Sequence, residues 1–228
     1  MRHIGDSSEI KAELFPSGFI SEIMELIGVA WQRISPAQKI WKEEDITALL
    51  KQAAADLYYQ MEKNWFVALE EPINDPNSGK VTGRTDLRFY PPNHERQTLF
   101  FTVECKRLNV SRPSGFKTLA PDYISDGIMR FVEGKYSSNV QEGGMIGYVM
   151  DGKIQHAVGS VENEIRTQES RVGLHLPISV SETSSFPKNG LDTLHQRAGS
   201  LSKFRICHGF VRARWLAKSK LEKGTPTS

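Results

Sequence analysis

The stretch FFTVECKRL, residues 100–108, combines a strand that should be buried with charged side chains at its end. A near-continuous apolar run is typical of a strand that is covered on both faces of a sheet. Side chains alternate along a strand, so Glu104 and Lys106 project to one face and Cys105 projects to the other. An acid and a base in such a place are costly unless they pair with each other or bind a ligand. The stretch therefore predicts either an ion pair between Glu104 and Lys106 at the end of the strand or a functional site.

The Glu-x-Lys spacing alone is weak evidence, because the chain contains it three times. Glu9–Lys11 lies in a polar N-terminal region, and Glu133–Lys135 has a glycine between its charges at the end of a predicted helix. Both are expected to be surface charges. The pair in residues 100–108 is set apart by the apolar strand that precedes it.

Asp86 lies at the start of another predicted strand, TDLRFYP at residues 85–91. We expect this strand to pair antiparallel with residues 98–105, which in a suitable register brings Asp86 close to Glu104. Two adjacent carboxylates repel unless they share a cation, and Mg²⁺ is bound by one or two carboxylates together with waters and phosphate oxygens. A lysine beside such a metal can orient or deprotonate a water. The three side chains thus predict metal-assisted phosphodiester hydrolysis.

The wider pattern predicts one mixed α/β domain over residues 1–228, with a core at about 40–150 and a basic C-terminal addition at about 151–223. Helical spacing of apolar residues predicts helices, and apolar runs between turn residues predict strands. The predicted helices cover residues 19–34, 42–61, 122–133 and 154–167. The predicted strands cover residues 65–72, 85–91, 98–105, 143–150, 174–180 and 204–214. Residues 73–83 and the region around Pro113, Gly115 and Pro121 are predicted to be loops. The order is α-β-β-β-α-β, followed by an α-β addition.

The spacing D86-(x17)-E104-C-K106, on neighbouring strands that follow a helix, resembles the PD-(D/E)xK nuclease superfamily with its restriction-endonuclease-like fold. The α-β-β-β-α-β order is similar to the core of that family. The proline that precedes the aspartate in the family is Thr85 here, at a position that takes no part in the chemistry. The resemblance implies that Asp86, Glu104 and the backbone carbonyl of Cys105 are metal ligands.

The family also commonly uses an acid from the first core helix. Glu43, Glu44 and Asp45 compete for this role at the start of the second predicted helix. Glu43 shares a helical stripe with Ile46 and Leu50, whereas the other two acids are rotated away from it. We expect Glu43 to be the inward-pointing catalytic and metal-binding acid. The alternative is that it serves the helix dipole, which favours acids in the first turn.

The implied activity is that of an endodeoxyribonuclease that requires Mg²⁺, for which Mn²⁺ can substitute. Glu43, Asp86 and Glu104 would hold one or two metal ions, while Lys106 would position or activate water. DNA is the expected partner on family grounds, and the sequence contains no base-reading module of a known type. Two alternatives remain: a nuclease acting on RNA, and a non-catalytic nucleic-acid-binding or assembly module.

The analogy with bacterial antiviral nucleases, which cut phage nucleic acid, implies an ATPase or sensor partner subunit that delivers the nuclease. A homodimer would provide two sites for the two strands of a duplex. The chain has no glycine-rich phosphate loop of its own and should not hydrolyse ATP.

Basic residues are the main candidates for nucleic-acid contacts. Eight bases against the single acid Glu222 lie in the C-terminal part of the chain: Arg197, Lys203, Arg205, Arg212, Arg214, Lys218, Lys220 and Lys223. Such a run is either a solvated surface or a phosphate-binding edge. We select Arg197, Arg212 and Arg214 from it, and Arg130 and Lys135 from the helix that follows the catalytic strands. His195 and His208 are candidates to approach the site from the C-terminal addition, but a lone histidine is more often structural.

The remaining composition is that of a globular protein. The chain has 228 residues, 39% of them hydrophobic, and a net charge of +2. Its two cysteines provide no disulfide framework and suit a reducing compartment. The N-terminus has no apolar stretch typical of a signal peptide. We expect a cytoplasmic protein that does not associate with membranes.

Overall fold

The fold is taken from a computed structural model. It describes residues 17–34, 42–60, 66–69, 72–74, 81–91, 99–112, 115–136, 140–180, 186, 189–197 and 203–213. Among the predicted basic contacts, Arg214 lies outside the described residues, as do Lys218, Lys220 and Lys223.

The helices are α1 (Ser17–Arg33), α2 (Glu43–Gln60), α3 (Ala120–Tyr123), α4 (Met129–Val132), α5 (Ile154–Thr167) and α6 (Glu169–Val172). A π-helical segment, Ile124–Ile128, joins α3 to α4 without a break. None of the described helices is both long enough and apolar enough to cross a bilayer.

The strands are β1 (Phe66–Leu69), β2 (Pro72–Asn74), β3 (Val81–Arg84), β4 (Leu87–Tyr90), β5 (Phe101–Leu108), β6 (Val110–Arg112), β7 (Gly115–Lys117), β8 (Glu142–Val149), β9 (Leu174–Val180), β10 (Gly190–Gln196) and β11 (Lys203–Arg212). Seven of them form one sheet in the order β1-β4-β5-β8-β11-β10-β9. Strand β8 is parallel to β5 and to β11, while the other described pairs in the sheet are antiparallel. The predicted mixed α/β class with a mixed sheet is confirmed.

Helices cover both faces of the sheet. On one face, α1 and α2 pack with residues such as Ile27 and Leu50 against Val103 and Cys105 of β5. On the other face, the α3–α4 helical segment and α5 pack against Leu108 and Phe210. The alternation expected for residues 100–108 therefore places Cys105 in the first core and turns Glu104 and Lys106 to the other face.

The C-terminal addition continues the same sheet, because β11 lies directly beside β8. The parallel pairing runs from Arg205 opposite Glu142 to Arg212 opposite Val149. The most apolar part of the C-terminal region is thus a central strand of the sheet rather than an appendage.

Two segments predicted as loops contain strands instead. Within residues 73–83, the described parts belong to the β2–β3 pair, in which Ile73 lies opposite Gly83. Strands β6 and β7 form a hairpin at Val110–Lys117, with Arg112 opposite Gly115. Strand β10 was not predicted either. These strands are short or polar, so they lack the apolar pattern on which the prediction depended.

Gly127 allows the π-helical segment to lie close to the sheet. A Cβ at this position would lie 2.4 Å from Cε of Met145 on β8 and 3.7 Å from Cγ of Lys106 on β5. Only glycine therefore fits without a shift of the methionine. The close approach brings the following turn, with Arg130, over the charged end of β5.

Candidate functional site

The two predicted carboxylates lie at the end of the β4–β5 ladder. The antiparallel pairing described runs from Phe89 opposite Phe101 to Leu87 opposite Val103, so Asp86 and Glu104 are the next positions along the two strands. The backbone N–H of Cys105 donates to Oδ2 of Asp86 over 2.7 Å. The predicted antiparallel pairing of these strands is confirmed.

Glu104 is a buried carboxylate with one satisfied and one unsatisfied oxygen. The residue is 1% exposed. Its Oε1 lies 2.8 Å from Nζ of Lys106 and 3.0 Å from Nη1 of Arg130. Its Oε2 is buried without a hydrogen-bond partner in the described part of the chain. A buried carboxylate oxygen left in this state costs free energy that a bound cation would recover.

Lys106 bridges Glu104 and the helix acid. Its ammonium lies 2.9 Å from Oε1 of Glu43, whose Oε2 accepts the backbone N–H of Arg107 over 2.9 Å. Glu44 and Asp45 are exposed. Of the three competing acids, Glu43 is therefore the one that reaches the charged end of β5. We refer to Glu43, Asp86, Glu104 and Lys106 as the carboxylate site.

Burial and neighbouring charges shift the pKa values of the groups in this site. Burial, helped by the neighbouring charge of Glu104, raises the pKa of Asp86 to about 7. Burial also raises the pKa of Glu104, against the attraction of Lys106. For Lys106, burial alone would lower the pKa, but the carboxylates of Glu104 and Glu43 outweigh it and raise the pKa above its usual value. Lys106 is thus a stable ammonium, and Asp86 is poised to lose its proton near neutral pH.

The carboxylate site fits a divalent cation with two protein carboxylates rather than three. No group of three or more His, Cys, Asp or Glu side chains in the described ranges is arranged to hold a metal ion. Mg²⁺ needs only one or two carboxylates, because waters and phosphate oxygens complete its shell. The unsatisfied Oε2 of Glu104 beside Asp86 meets that requirement. Both oxygens of Glu43 already have protein partners, Lys106 and the N–H of Arg107.

Cys105 lies on the opposite face of β5 from the two charged side chains. Its thiol is fully buried, and burial raises its pKa well above the usual range. The thiol is therefore inert at neutral pH. The role of its backbone carbonyl as a metal ligand stays a prediction.

Arg130 and Tyr136 connect Glu104 to the strand that leads to Asp86. Nη1 of Arg130 contacts both Oε1 of Glu104 and the hydroxyl of Tyr136. That hydroxyl donates to the backbone carbonyl of Arg84 over 2.9 Å. Sequence reasoning placed Arg130 on the helix beside the site, but it missed the link to Arg84, since no spacing or composition marks Tyr136.

The other predicted nucleic-acid contacts have different surroundings. The guanidinium of Arg197 donates to the carbonyls of Phe131, Tyr136 and Val140 and lies over the ring of Phe204. It therefore anchors the chain that follows α4.

Lys135 is exposed and pairs with Glu133 over 2.8 Å. Arg212 is exposed at the end of β11, close to Gly152. Arg205, also in the basic run, pairs with Glu142 over 2.7 Å. Phosphate contacts of the selected bases stay predictions, and those of Arg214 fall outside the described residues.

His195 and His208 belong to a buried polar chain on β10 and β11, on the same face of the sheet as Glu104. The hydroxyl of Thr193 lies 2.7 Å from Nε2 of His195 and 2.8 Å from Nε2 of His208. The chain ends at the hydroxyl of Tyr123, 3.0 Å from Nδ1 of His208, and at the carbonyl of Val172, 2.8 Å from Nδ1 of His195. We call Tyr123, His208, Thr193 and His195 the histidine chain.

The chain was also compared with known proteins. No family model, curated protein or solved structure matches it significantly.

Proposed function

We propose that this protein is a nuclease dependent on divalent metal ions, of the PD-(D/E)xK type, that hydrolyses phosphodiester bonds in DNA. The observation that carries the proposal is the buried Oε2 of Glu104, which lacks a hydrogen-bond partner in the described residues and belongs to a carboxylate that neighbours Asp86 and contacts Lys106. A carboxylate serving only to close a strand would be expected to have both oxygens satisfied.

The arrangement of elements supports a restriction-endonuclease-like core. Helix α2 is followed by the antiparallel strands β1, β4 and β5, the α3–α4 segment, and β8 parallel to β5. This is the α-β-β-β-α-β order that the resemblance implies, with β2–β3 and β6–β7 as additional hairpins. The acid-x-lysine pair lies on β5, whose partner in the ladder carries Asp86 at its start.

Mg²⁺ bound by Asp86 and Glu104 would supply Lewis-acid stabilisation of the charge that builds on the phosphate. Asp86 and Glu104 hold their positions through the N–H of Cys105 and through Arg130, respectively. Glu43 would act through Lys106, which it fixes over 2.9 Å.

Lys106 would act as a hydrogen-bond donor rather than as a base. Its raised pKa keeps the ammonium protonated at neutral pH. An ammonium cannot accept a proton from water. It can, however, donate a hydrogen bond to a lone pair of the attacking water and so orient it, and it can stabilise an anionic phosphate oxygen. A bound Mg²⁺ would supply the remaining activation by lowering the pKa of a water that it holds, with Asp86 and Glu104 as its protein ligands.

DNA as the substrate, delivery by an ATPase or sensor subunit, a homodimer and a role in antiviral defence rest on the resemblance alone. The RNA alternative shares the same site chemistry. The non-catalytic alternative is favoured by one observation, namely that the described residues contain no three-ligand group.

Cleavage assays with purified protein test the proposal. Plasmid, linear duplex DNA, single-stranded DNA and RNA are each incubated with Mg²⁺, Mn²⁺ or EDTA. We expect cleavage of DNA that requires metal, and a loss of roughly 10²–10³-fold or more for Asp86→Ala, Glu104→Ala and Lys106→Ala.

Glu43→Ala and Glu44→Ala form a matched pair on the same turn of α2. We expect Glu43→Ala to lose activity, because Lys106 loses one partner, and Glu44→Ala to behave as wild type. Equal cleavage by the wild type and the three site variants would refute the catalytic assignment. Cleavage of RNA alone would correct the substrate, and metal-independent binding without cleavage would favour the non-catalytic module.

A further inference from the structure

The paired ladder of β4 and β5 ends before it reaches the two carboxylates. Its last described pair is Leu87 with Val103, one position short of Asp86 and Glu104. Beyond this pair, the backbone N–H of Cys105 donates to the carboxylate of Asp86. The separation of the two carboxylates therefore depends on contacts outside the ladder.

A second link, from Glu104 to the chain just before Asp86, runs through side chains that follow the π-helical segment. Arg130 contacts Oε1 of Glu104 and the hydroxyl of Tyr136 through the same nitrogen, Nη1. The hydroxyl of Tyr136 in turn donates its proton to the carbonyl of Arg84, two residues before Asp86. Each donor is used once: Nη1 of Arg130 has two N–H groups, and the hydroxyl accepts one of them while donating its own proton.

Tyr136 is itself held firmly. The residue is 2% exposed, and its ring packs edge-on against Phe131 with 5.4 Å between centroids. Its backbone carbonyl accepts from Arg197, and its backbone N–H donates to the carbonyl of Arg130. Because both its ring and its backbone are held in place, Tyr136 can fix the positions of the groups that its hydroxyl contacts.

We propose that Tyr136, acting through Arg130 and the Arg84 carbonyl, is a positioning residue that sets the distance between the Asp86 and Glu104 carboxylates for a shared divalent cation. This inference rests on the proposed function, because it identifies a residue that positions the carboxylates of the same site. It predicts that the hydroxyl of Tyr136 controls metal affinity although it touches neither the metal nor the substrate.

Tyr136→Phe tests the proposal because it removes only the hydroxyl and keeps the ring packing against Phe131. Mn²⁺ alone is titrated into the full chain, with the free ion followed by electron paramagnetic resonance, and Mg²⁺ affinity is obtained by competition. We expect Mn²⁺ binding about tenfold or more weaker than in the wild type, in the range found for outer-shell partners of metal ligands.

Tyr123→Phe is the matched control. It also removes a buried tyrosine hydroxyl, which contacts Nδ1 of His208 on β11 rather than a group of the carboxylate site. Thermal melting of both variants separates folding from positioning. We expect similar small losses of stability in both variants and a loss of metal affinity in Tyr136→Phe alone.

The outcomes separate the two proposals. If the wild type binds Mn²⁺ and Tyr136→Phe binds it equally well, the positioning role is wrong while the metal site stands. If the two phenylalanine variants lose affinity alike, the effect is general softening of the fold, and the positioning role is again wrong. If the wild type itself binds no Mn²⁺, the proposed metal site fails and the positioning role fails with it.

Discussion

Two buried polar clusters lie on the same sheet, and they differ in how completely their hydrogen bonds are satisfied. In the histidine chain, every contact has a consistent direction. His195 must donate from Nδ1 to the carbonyl of Val172, so its Nε2 accepts from Thr193. The hydroxyl of Thr193 then accepts from Nε2 of His208, whose Nδ1 accepts from Tyr123. Both histidines are neutral in this arrangement.

The carboxylate site lacks this completeness. Oε2 of Glu104 has no hydrogen-bond partner among the described residues, and Asp86 has its pKa raised to about 7 by burial and by its charged neighbour. A satisfied buried network makes a fold rigid, whereas an unsatisfied one stores an unfavourable free energy that a ligand can release. The difference supports a structural role for the histidine chain and the proposed binding role for the carboxylate site.

The largest expected effect on the free energy of unfolding comes from removing the buried charge of Asp86. Asp86→Asn should stabilise the metal-free protein at pH 8 by about 4 kcal/mol, because the raised pKa of Asp86 corresponds to a cost of charging it in the fold. The folded pKa of about 7 lies above the unfolded value of 3.8. The associated stability is present below the unfolded value and is lost as the pH rises through 7.

Urea denaturation in EDTA at several pH values measures this difference. The gain of Asp86→Asn over the wild type should shrink towards zero as the pH falls below 3.8, because the wild-type carboxyl then becomes protonated in both states. The exposed Asp122→Asn is the control and should show little change. A gain of Asp86→Asn that is independent of pH would contradict the assignment of stored electrostatic cost to this residue.

The histidine chain should respond to pH in the opposite direction. Burial lowers the pKa of His195 from 6.5 to about 4, so the unfolded state binds a proton more readily between these values. The stability due to the neutral imidazole is present above pH 6.5 and falls by about 3 kcal/mol as the pH decreases to 4.

His195→Gln isolates this contribution because it removes the titrating group. The stability of the wild type relative to His195→Gln should rise between pH 4 and 6.5 and stay constant above pH 7, as measured by urea denaturation. Groups that do not contact His195 titrate alike in both proteins and cancel in the difference, whereas the pKa of His208 also responds to the charge of His195. A flat difference over the acid range would show that the imidazole does not titrate on unfolding.

The parts of the fold that could be predicted are those with a strong local pattern. The apolar period of residues 154–167 predicts α5 over the range in which it occurs, and the alternation in FFTVECKRL predicts which face Glu104 occupies. The antiparallel pairing of β4 and β5 follows from the short connection between them. The stripe of α2 also predicts which acid turns towards the site, since Glu43 shares it with buried Ile46.

The rest depended on contacts between distant parts of the chain. Arg130 reaches Glu104 because Gly127 lets a π-helical turn approach the sheet, and neither the turn nor its distance from the sheet is encoded in a periodicity. Arg197 was selected for its charge, yet its guanidinium binds three backbone carbonyls. A basic side chain in the sequence does not reveal whether its partner is a phosphate or a carbonyl of the same chain.

The smallest expected effect sharpens the description of the histidine chain as a structural network. Thr193→Val keeps the shape of the side chain but leaves Nε2 of His195 and Nε2 of His208 without their shared partner. Buried groups left unsatisfied destabilise a protein, so we expect a loss of about 2 kcal/mol in the free energy of unfolding at pH 8. Thr193→Ser keeps the hydroxyl, loses one methyl group, and should cost about 1 kcal/mol.

If valine were tolerated as well as serine, the hydroxyl would not be the link between the histidines. If Thr193→Val lowered Mn²⁺ affinity while remaining folded, the histidine chain would be coupled to the carboxylate site, and the separation of the two clusters into a structural and a binding network would be wrong.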